Sequence, residues 1–202
     1  TARGVFVGMQ AAAAYTWGSD DLAGRTVGLV GVGKVGGRLA LHLAEAGARP
    51  IVFDVSDAAI SAIRSALPDV EVAPSLDDLL ARDLDILSPN ALGGLVTHDV
   101  ARGIHARLVC GAANNQLASP AVADTLAERG IVYAPDFVVN CGGVIQIAEE
   151  LSGLDMDRAQ ARTEAVGGTV ARVLSRAQEA SVTPVVAAEW EAEDRIRAAQ
   201  TT

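Results

Sequence analysis

Gly31-Val32-Gly33-Lys34-Val35-Gly36 forms a G-x-G-x-x-G. Glycines at this spacing suit a phosphate-binding turn. Gly31 permits the tight turn, Gly33 lets a pyrophosphate approach the backbone, and Gly36 lets a helix pack on a strand. The helix N-terminus then offers N–H groups and partial positive charge to the phosphates. Glycine makes up 20 of 202 residues, so the motif alone is a weak signal. Its setting strengthens it: an apolar run at 26–31 precedes it and helical spacing follows at 34–48. Asp54 stands 18 residues beyond Gly36, at the end of the next apolar run. A carboxylate there can accept both hydroxyls of an adenosine ribose and repels a 2′-phosphate, which favours NAD over NADP. Lys34 would soften that preference if it reached the 2′ position. A ligand-free turn with Asp54 as a surface charge is the plainer alternative.

Three further polar stretches follow apolar runs: Ser88-Pro89-Asn90-Ala91-Leu92-Gly93-Gly94, Cys110-Gly111-Ala112-Ala113-Asn114-Asn115-Gln116, and Pro135-Asp136-Phe137-Val138-Val139-Asn140-Cys141-Gly142-Gly143. Asparagine amides at strand ends can bond a carboxamide, carboxylate or amine without adding charge. Singly, each is more simply a turn or cap residue. Lys34 is the only lysine among 16 basic residues, so chemistry that needs an active-site lysine uses it or is absent. His42 falls on the helix of the glycine loop, and His98 and His105 flank a short helix. All three read as surface or cap residues. Cys110 and Cys141 form neither a disulfide framework nor a metal site, and read as buried small hydrophobes.

These residues need strand ends to carry them, and the chain supplies strands alternating with helices. Strands are expected at 26–31, 50–55, 71–74, 84–89, 106–112 and 131–135, the third weakly. Helices are expected at 2–16, 34–48, 56–67, 75–81 and 119–130, then at about 143–151, 156–179 and 184–199. Thr1, Ser56, Ser75 and Ser119 read as N-caps. Ser75 and Asp78 have capping-box spacing, and Pro120 suits a first helical position. Gly47 and Gly130 read as helix stops. The pattern is a doubly wound, mostly parallel α/β sheet with flanking helices and a helical C-terminal segment. The lead-in covers about 1–17, the Rossmann-like core about 24–140 and the C-terminal helices about 141–199.

Composition narrows the classes. Net charge of −9 argues against a nucleic-acid partner, and no apolar stretch approaches a membrane span. Half the residues are hydrophobic but only 3% aromatic, so the core is Val, Leu, Ile and Ala. A reduced, cytoplasmic protein is the expectation. The chain opens at Thr1 inside a helical pattern and reads as a fragment.

GVGKVG, PNALGG, CGAANNQLA and YAPDFVVNCGGVIQIAEE together resemble the cofactor domain of the Glu/Leu/Phe/Val dehydrogenases, nearest to the valine and leucine members. The likeness runs from Thr1 to about Ala198. It implies NAD-dependent oxidative deamination of a branched-chain L-amino acid to a 2-oxo acid and ammonia. Carried over, Gly31, Val32, Gly33, Lys34, Val35, Gly36 and Asp54 hold the ADP half of the cofactor. Thr1, Ala91, Asn114 and Asn140 line its nicotinamide end, and Asn114 also faces the substrate amine. Val144 and Ile147, one helical turn apart, match side-chain-pocket positions; ordinary helix core is the competing reading. The family commonly has Cys where Asn90 stands and Ala where Cys141 stands.

The resemblance also implies a substrate domain upstream of this one, bringing a substrate-binding lysine, a base lysine and an aspartate. No catalytic residue is therefore expected in this chain, no metal is expected, and the chain alone should not turn over. The complete enzyme is expected to be a homo-oligomer. Two alternatives stay open: a glutamate dehydrogenase or other Rossmann oxidoreductase, and a non-catalytic dinucleotide-binding module. Glutamate would require a cation that Val144 and Ile147 do not supply.

Overall fold

The structure is a computed structural model and describes residues 1–151, 153 and 155–200. Its centre is a six-stranded parallel sheet: β1 Thr26–Val30, β2 Arg49–Phe53, β3 Glu71–Val72, β4 Ile86–Pro89, β5 Leu108–Val109 and β6 Val132–Tyr133. The order is β3-β2-β1-β4-β5-β6. The chain winds outward from β1 to β3, then returns to lay β4 on the other side of β1. The β1/β4 boundary is thus the switch point of a doubly wound, Rossmann-like fold.

The helices are α1 Ala2–Trp17, α2 Lys34–Glu45, α3 Asp57–Ala66, α4 Leu76–Leu80, α5 His98–Gly103, α6 Val122–Glu128, α7 Asp136–Val139, α8 Gly142–Leu151, α9 Met156–Ala180 and α10 Pro184–Gln200. Strand side chains alternate between two cores. Leu29, Val52, Ile86 and Leu108 face α1, α2 and α9, where Val5, Met9, Leu39, Leu43 and Val170 are fully buried. Val30, Ile51, Leu87 and Val109 face α4, α5 and α6, with Leu79, Ile104, Val122 and Leu126. Cover on both faces explains why the strands are continuous apolar runs. A third cluster, Val173, Ala177, Ala187 and Ala188, joins α9 to α10.

Local chemistry sets most helix ends. Ser56 accepts from Ala59 N–H, and Ser75 from Asp78 N–H. The reciprocal half of the capping box is missing, because the Asp78 carboxylate takes Arg82 one turn along. Gly47 and Gly130 stop their helices with φ of +77° and +66°, a region costly for any residue with a Cβ. Ser119 does not cap α6: Val122, Ala123 and Asp124 N–H each reach back three residues. A tight turn therefore precedes the helix, and Ala121 is the N-cap. Thr1 stands at the N-cap of α1, but its hydroxyl makes no capping bond. β3, β5 and β6 are two residues each, shorter than their apolar runs, whose ends leave the ladder to enter loops.

Candidate functional site

β1 ends at Val30, and Gly31 turns the chain with φ of +95°. A Cβ on Gly31 would lie 2.7 Å from Cβ of Ala91, in the loop that leaves β4. Gly36, in the first turn of α2, is equally constrained: a Cβ there would come within 2.0 Å of Gly31 O. Gly33 differs, because a Cβ on it meets nothing within 4 Å. Gly33 is the N-cap of α2, and no side chain caps the helix. Two glycines thus close the turn, and the third leaves open space over an uncapped helix N-terminus. A free helix N-terminus of this kind offers N–H donors and partial positive charge to an anionic group. Lys34 is exposed beside it.

Asp54 lies one residue beyond β2 and anchors this loop. Its Oδ2 accepts from Val32 N–H at 2.8 Å, and its Oδ1 from Ser56 N–H at 2.8 Å. Each carboxylate oxygen keeps a second lone pair, so the loop contact leaves capacity for a ribose hydroxyl. Val55 beside it is 91% exposed, and Leu92 across the crevice 85%.

At the other end, the loop after β5 carries Asn114 and the α7 segment after β6 leads into Asn140. Their side chains meet: Asn140 Nδ2 donates to Asn114 Oδ1 at 2.6 Å. Thr1 reaches the N-terminal end of α8, where a Cβ on Gly143 would come within 2.8 Å of Thr1 Oγ1. Val144 and Ile147 are 70% and 58% exposed on α8, outside the core formed by the described residues. Their apolar side chains are free to line a cleft.

Three supports at these loops were not foreseen from the sequence. Asn90 straps the ends of β4 and β5: its Oδ1 accepts from Ala112 N–H at 2.9 Å while its Nδ2 donates to Ser88 O and Oγ. Gly111 lets the same strand ends touch, since a Cβ there would meet Pro89 O at 2.1 Å. Gln116 and Asp136 are buried polar residues beneath the asparagine pair. A glycine inside the expected strand 106–112, and an acid inside the apolar run 134–139, were the available signals.

The remaining titratable candidates are structural. His98 Nδ1 bonds Thr125 Oγ1 at 2.8 Å, and His42 packs on the Phe6 ring. Cys110 is fully buried, and burial pushes its thiol up to about 12. Cys141 is half-buried rather than buried, and desolvation raises its thiol too. Both are free thiols. Among the described residues no three His, Cys, Asp or Glu converge on a metal-sized space, and no helix is long and apolar enough to cross a membrane. A surface cavity of about 660 Å³, lined by Thr26, Arg49, Glu71 and Asp83, opens at the amino ends of the strands, away from all these residues.

Sheet order, glycine loop and crevice define a Rossmann-like domain of the dinucleotide-binding type. The chain belongs to the Glutamate/Leucine/Phenylalanine/Valine dehydrogenase family, whose model matches residues 58–202. It is 46% identical to a valine dehydrogenase of Streptomyces coelicolor across 99% of this chain and 55% of that protein. It is 41% identical to a leucine dehydrogenase of Bacillus subtilis across 97% of this chain and 53% of that protein. The crystal structure of L-tryptophan dehydrogenase from Nostoc punctiforme superposes with a TM-score of 0.94 at 33% identity, covering 100% of this chain and 61% of that one. The chain thus spans about half the length of the curated relatives it matches.

Proposed function

We propose that this chain is the NAD-binding domain of an amino-acid dehydrogenase that deaminates branched-chain L-amino acids. The observation that carries the proposal is the glycine loop closed by Asp54 on Val32 N–H at the β1/β4 switch point, in a chain of this family. The uncapped N-terminus of α2 receives the pyrophosphate over Gly33, and Asp54 takes the adenosine ribose hydroxyls. Thr1, Ala91, Asn114 and Asn140 line the nicotinamide end. Asn140 Nδ2 already donates to Asn114 Oδ1, so that oxygen is oriented and keeps a lone pair for a substrate ammonium. Val144 and Ile147 hold the aliphatic side chain. Bound NAD supplies the hydride acceptor; water replaces the amino group, and a 2-oxo acid and ammonia leave.

The base and the groups that hold the substrate carboxylate belong, in this reading, to a substrate domain outside these 202 residues. Neither Lys34, at the phosphate loop, nor His98, bonded to Thr125, is placed for that work. The complete enzyme is read as a homo-oligomer, and its free thiols suit the cytoplasm.

Titration of the chain with NADH and NADPH tests the cofactor half of this proposal. NADH binds and NADPH binds at least about ten-fold more weakly, because a 2′-phosphate would meet the Asp54 carboxylate. Asp54→Ala lowers NADH affinity by about 1.5–3 kcal/mol, the scale of hydrogen bonds to a charged group. Equal affinity for both nucleotides in the unmodified chain would remove Asp54 from its role.

A further inference from the structure

Asn114 and Asn140 are on different loops, 26 residues apart, yet their side chains meet at 2.6 Å. Both residues lie at the surface end of those loops and neither is fully buried. Their meeting is set from below. The Asp136 carboxylate, 8% exposed, accepts from Gln116 N–H through Oδ2 at 3.2 Å and from Phe137 N–H through Oδ1 at 3.0 Å. It therefore ties the first loop, two residues after Asn114, to the second, four residues before Asn140. Asp136 N–H in turn donates to the Tyr133 hydroxyl at 3.3 Å.

Gln116 is fully buried and rounds the first loop on itself: its Nε2 donates to Gly111 O at 2.7 Å and Ala113 O at 3.0 Å. Its Oε1 is buried with no hydrogen-bond partner among the described residues. A buried acceptor left without a partner is destabilising, so a fold that needed only bulk here would do better with leucine or methionine. Between Asn114 and Gln116, Asn115 turns the loop at φ of +51°, a left-handed conformation that asparagine tolerates better than other non-glycine residues. Asn115 O and Gln116 O are fixed by Gly94 and Val96 N–H. Every bond in this set shapes the backbone on either side of the asparagine pair.

We propose that Asp136 and Gln116 are positioning residues, which clamp the two loops so that Asn114 and Asn140 present one preset amide pair to the nicotinamide end of the cofactor. The inference rests on the assignment of that pair to the nicotinamide. It makes a buried carboxylate and a buried amide, neither of which touches ligand, set nicotinamide affinity while leaving the ADP half alone, since that half is held by the glycine loop and Asp54.

The test compares NADH with ADP-ribose, which lacks nicotinamide, by titration of the full gene product. Variants are Asp136→Asn, Gln116→Leu, Asn140→Ala and the double variant Asp136→Asn/Asn140→Ala, with melting temperature recorded for each. The ratio of NADH to ADP-ribose affinity falls about ten-fold in Asn140→Ala, the loss of one to two hydrogen bonds. It falls to a similar value in Asp136→Asn and Gln116→Leu, with ADP-ribose affinity unchanged, and the double variant falls no further. Parallel loss of both affinities would make the residues merely structural and overturn the proposal. So would an unchanged ratio in Asp136→Asn and Gln116→Leu beside a reduced one in Asn140→Ala. If Asn140→Ala also leaves the ratio unchanged, the assignment of the asparagine pair fails and the positioning role with it. Gln116→Leu removes the orphan acceptor and keeps the volume, so it stays informative if Asp136→Asn does not fold.

Discussion

Asp54 fixes the glycine loop through Val32 N–H and takes Ser56 N–H on its other oxygen. Under the proposed function its replacement loosens the loop as well as removing a ribose contact. With Val144 70% exposed, Val144→Ala should leave the domain's stability nearly unchanged. If Val144 lines the pocket as proposed, the same change in a complete enzyme should move kcat/KM toward longer or aromatic side chains by about 1–3 kcal/mol. Unaltered ratios among valine, leucine and phenylalanine would take Val144 out of the pocket. Cys110 makes stability pH-dependent. Below its ordinary value of 9.0 both folded and unfolded chains keep the thiol proton, and the group is silent. Between 9.0 and about 12 the unfolded chain has lost the proton and the folded chain has not. The folded state then binds more protons, so stability falls as pH rises. Melting temperatures across that window should decline less steeply in Cys110→Ala, and an identical slope would remove the thiol from the account.

At the scale of elements, the crevice depends on backbones that touch. Gly36→Ala would drive a Cβ to within 2.0 Å of Gly31 O, so α2 must lift from β1. The expected cost is about 1–3 kcal/mol, read as a drop of roughly 2–4 °C in Tm per kcal/mol, together with loss of nucleotide binding. Full stability in Gly36→Ala would show that the loop has slack. This contact was readable beforehand because glycine spacing and the apolar runs around it are local. So were Ser56, Ser75 and Gly47, whose partners lie within a few residues. Strand lengths at β5 and β6 were not, since an apolar run does not reveal which of its residues stay in the ladder. Ser119 misled because its type and the following Pro120 suit a cap, whereas the chain makes i→i+3 bonds instead. Asn90 was visible as a strand-end asparagine and as a departure from the family, but its partner was not. Its strap to Ala112 N–H crosses 22 residues to a backbone atom. Asp136 was hidden for the same reason, because its bond from Gln116 N–H crosses 20 residues. Gln116 bonds locally, to Gly111 O and Ala113 O, but in no regular spacing that a sequence displays.

At the scale of the molecule, the proposed function makes these residues one wall of a two-walled active site. Hydride transfer needs the substrate C–H within about 3–3.5 Å of the nicotinamide and a base to take the proton. The chain offers a glycine loop over the uncapped N-terminus of α2, an amide pair and two exposed apolar residues on α8, and Lys34 stands at the glycine loop, away from the amide pair. The most direct measurement is NADH formation from NAD and L-valine at alkaline pH. It is made with the 202-residue chain and with the same chain joined to the upstream half of a valine dehydrogenase relative. The chain alone should give no NADH above background, and the joined protein should turn over. Turnover by the chain alone would contradict the proposed function, because Lys34 or a histidine would then be doing the chemistry assigned to the other wall.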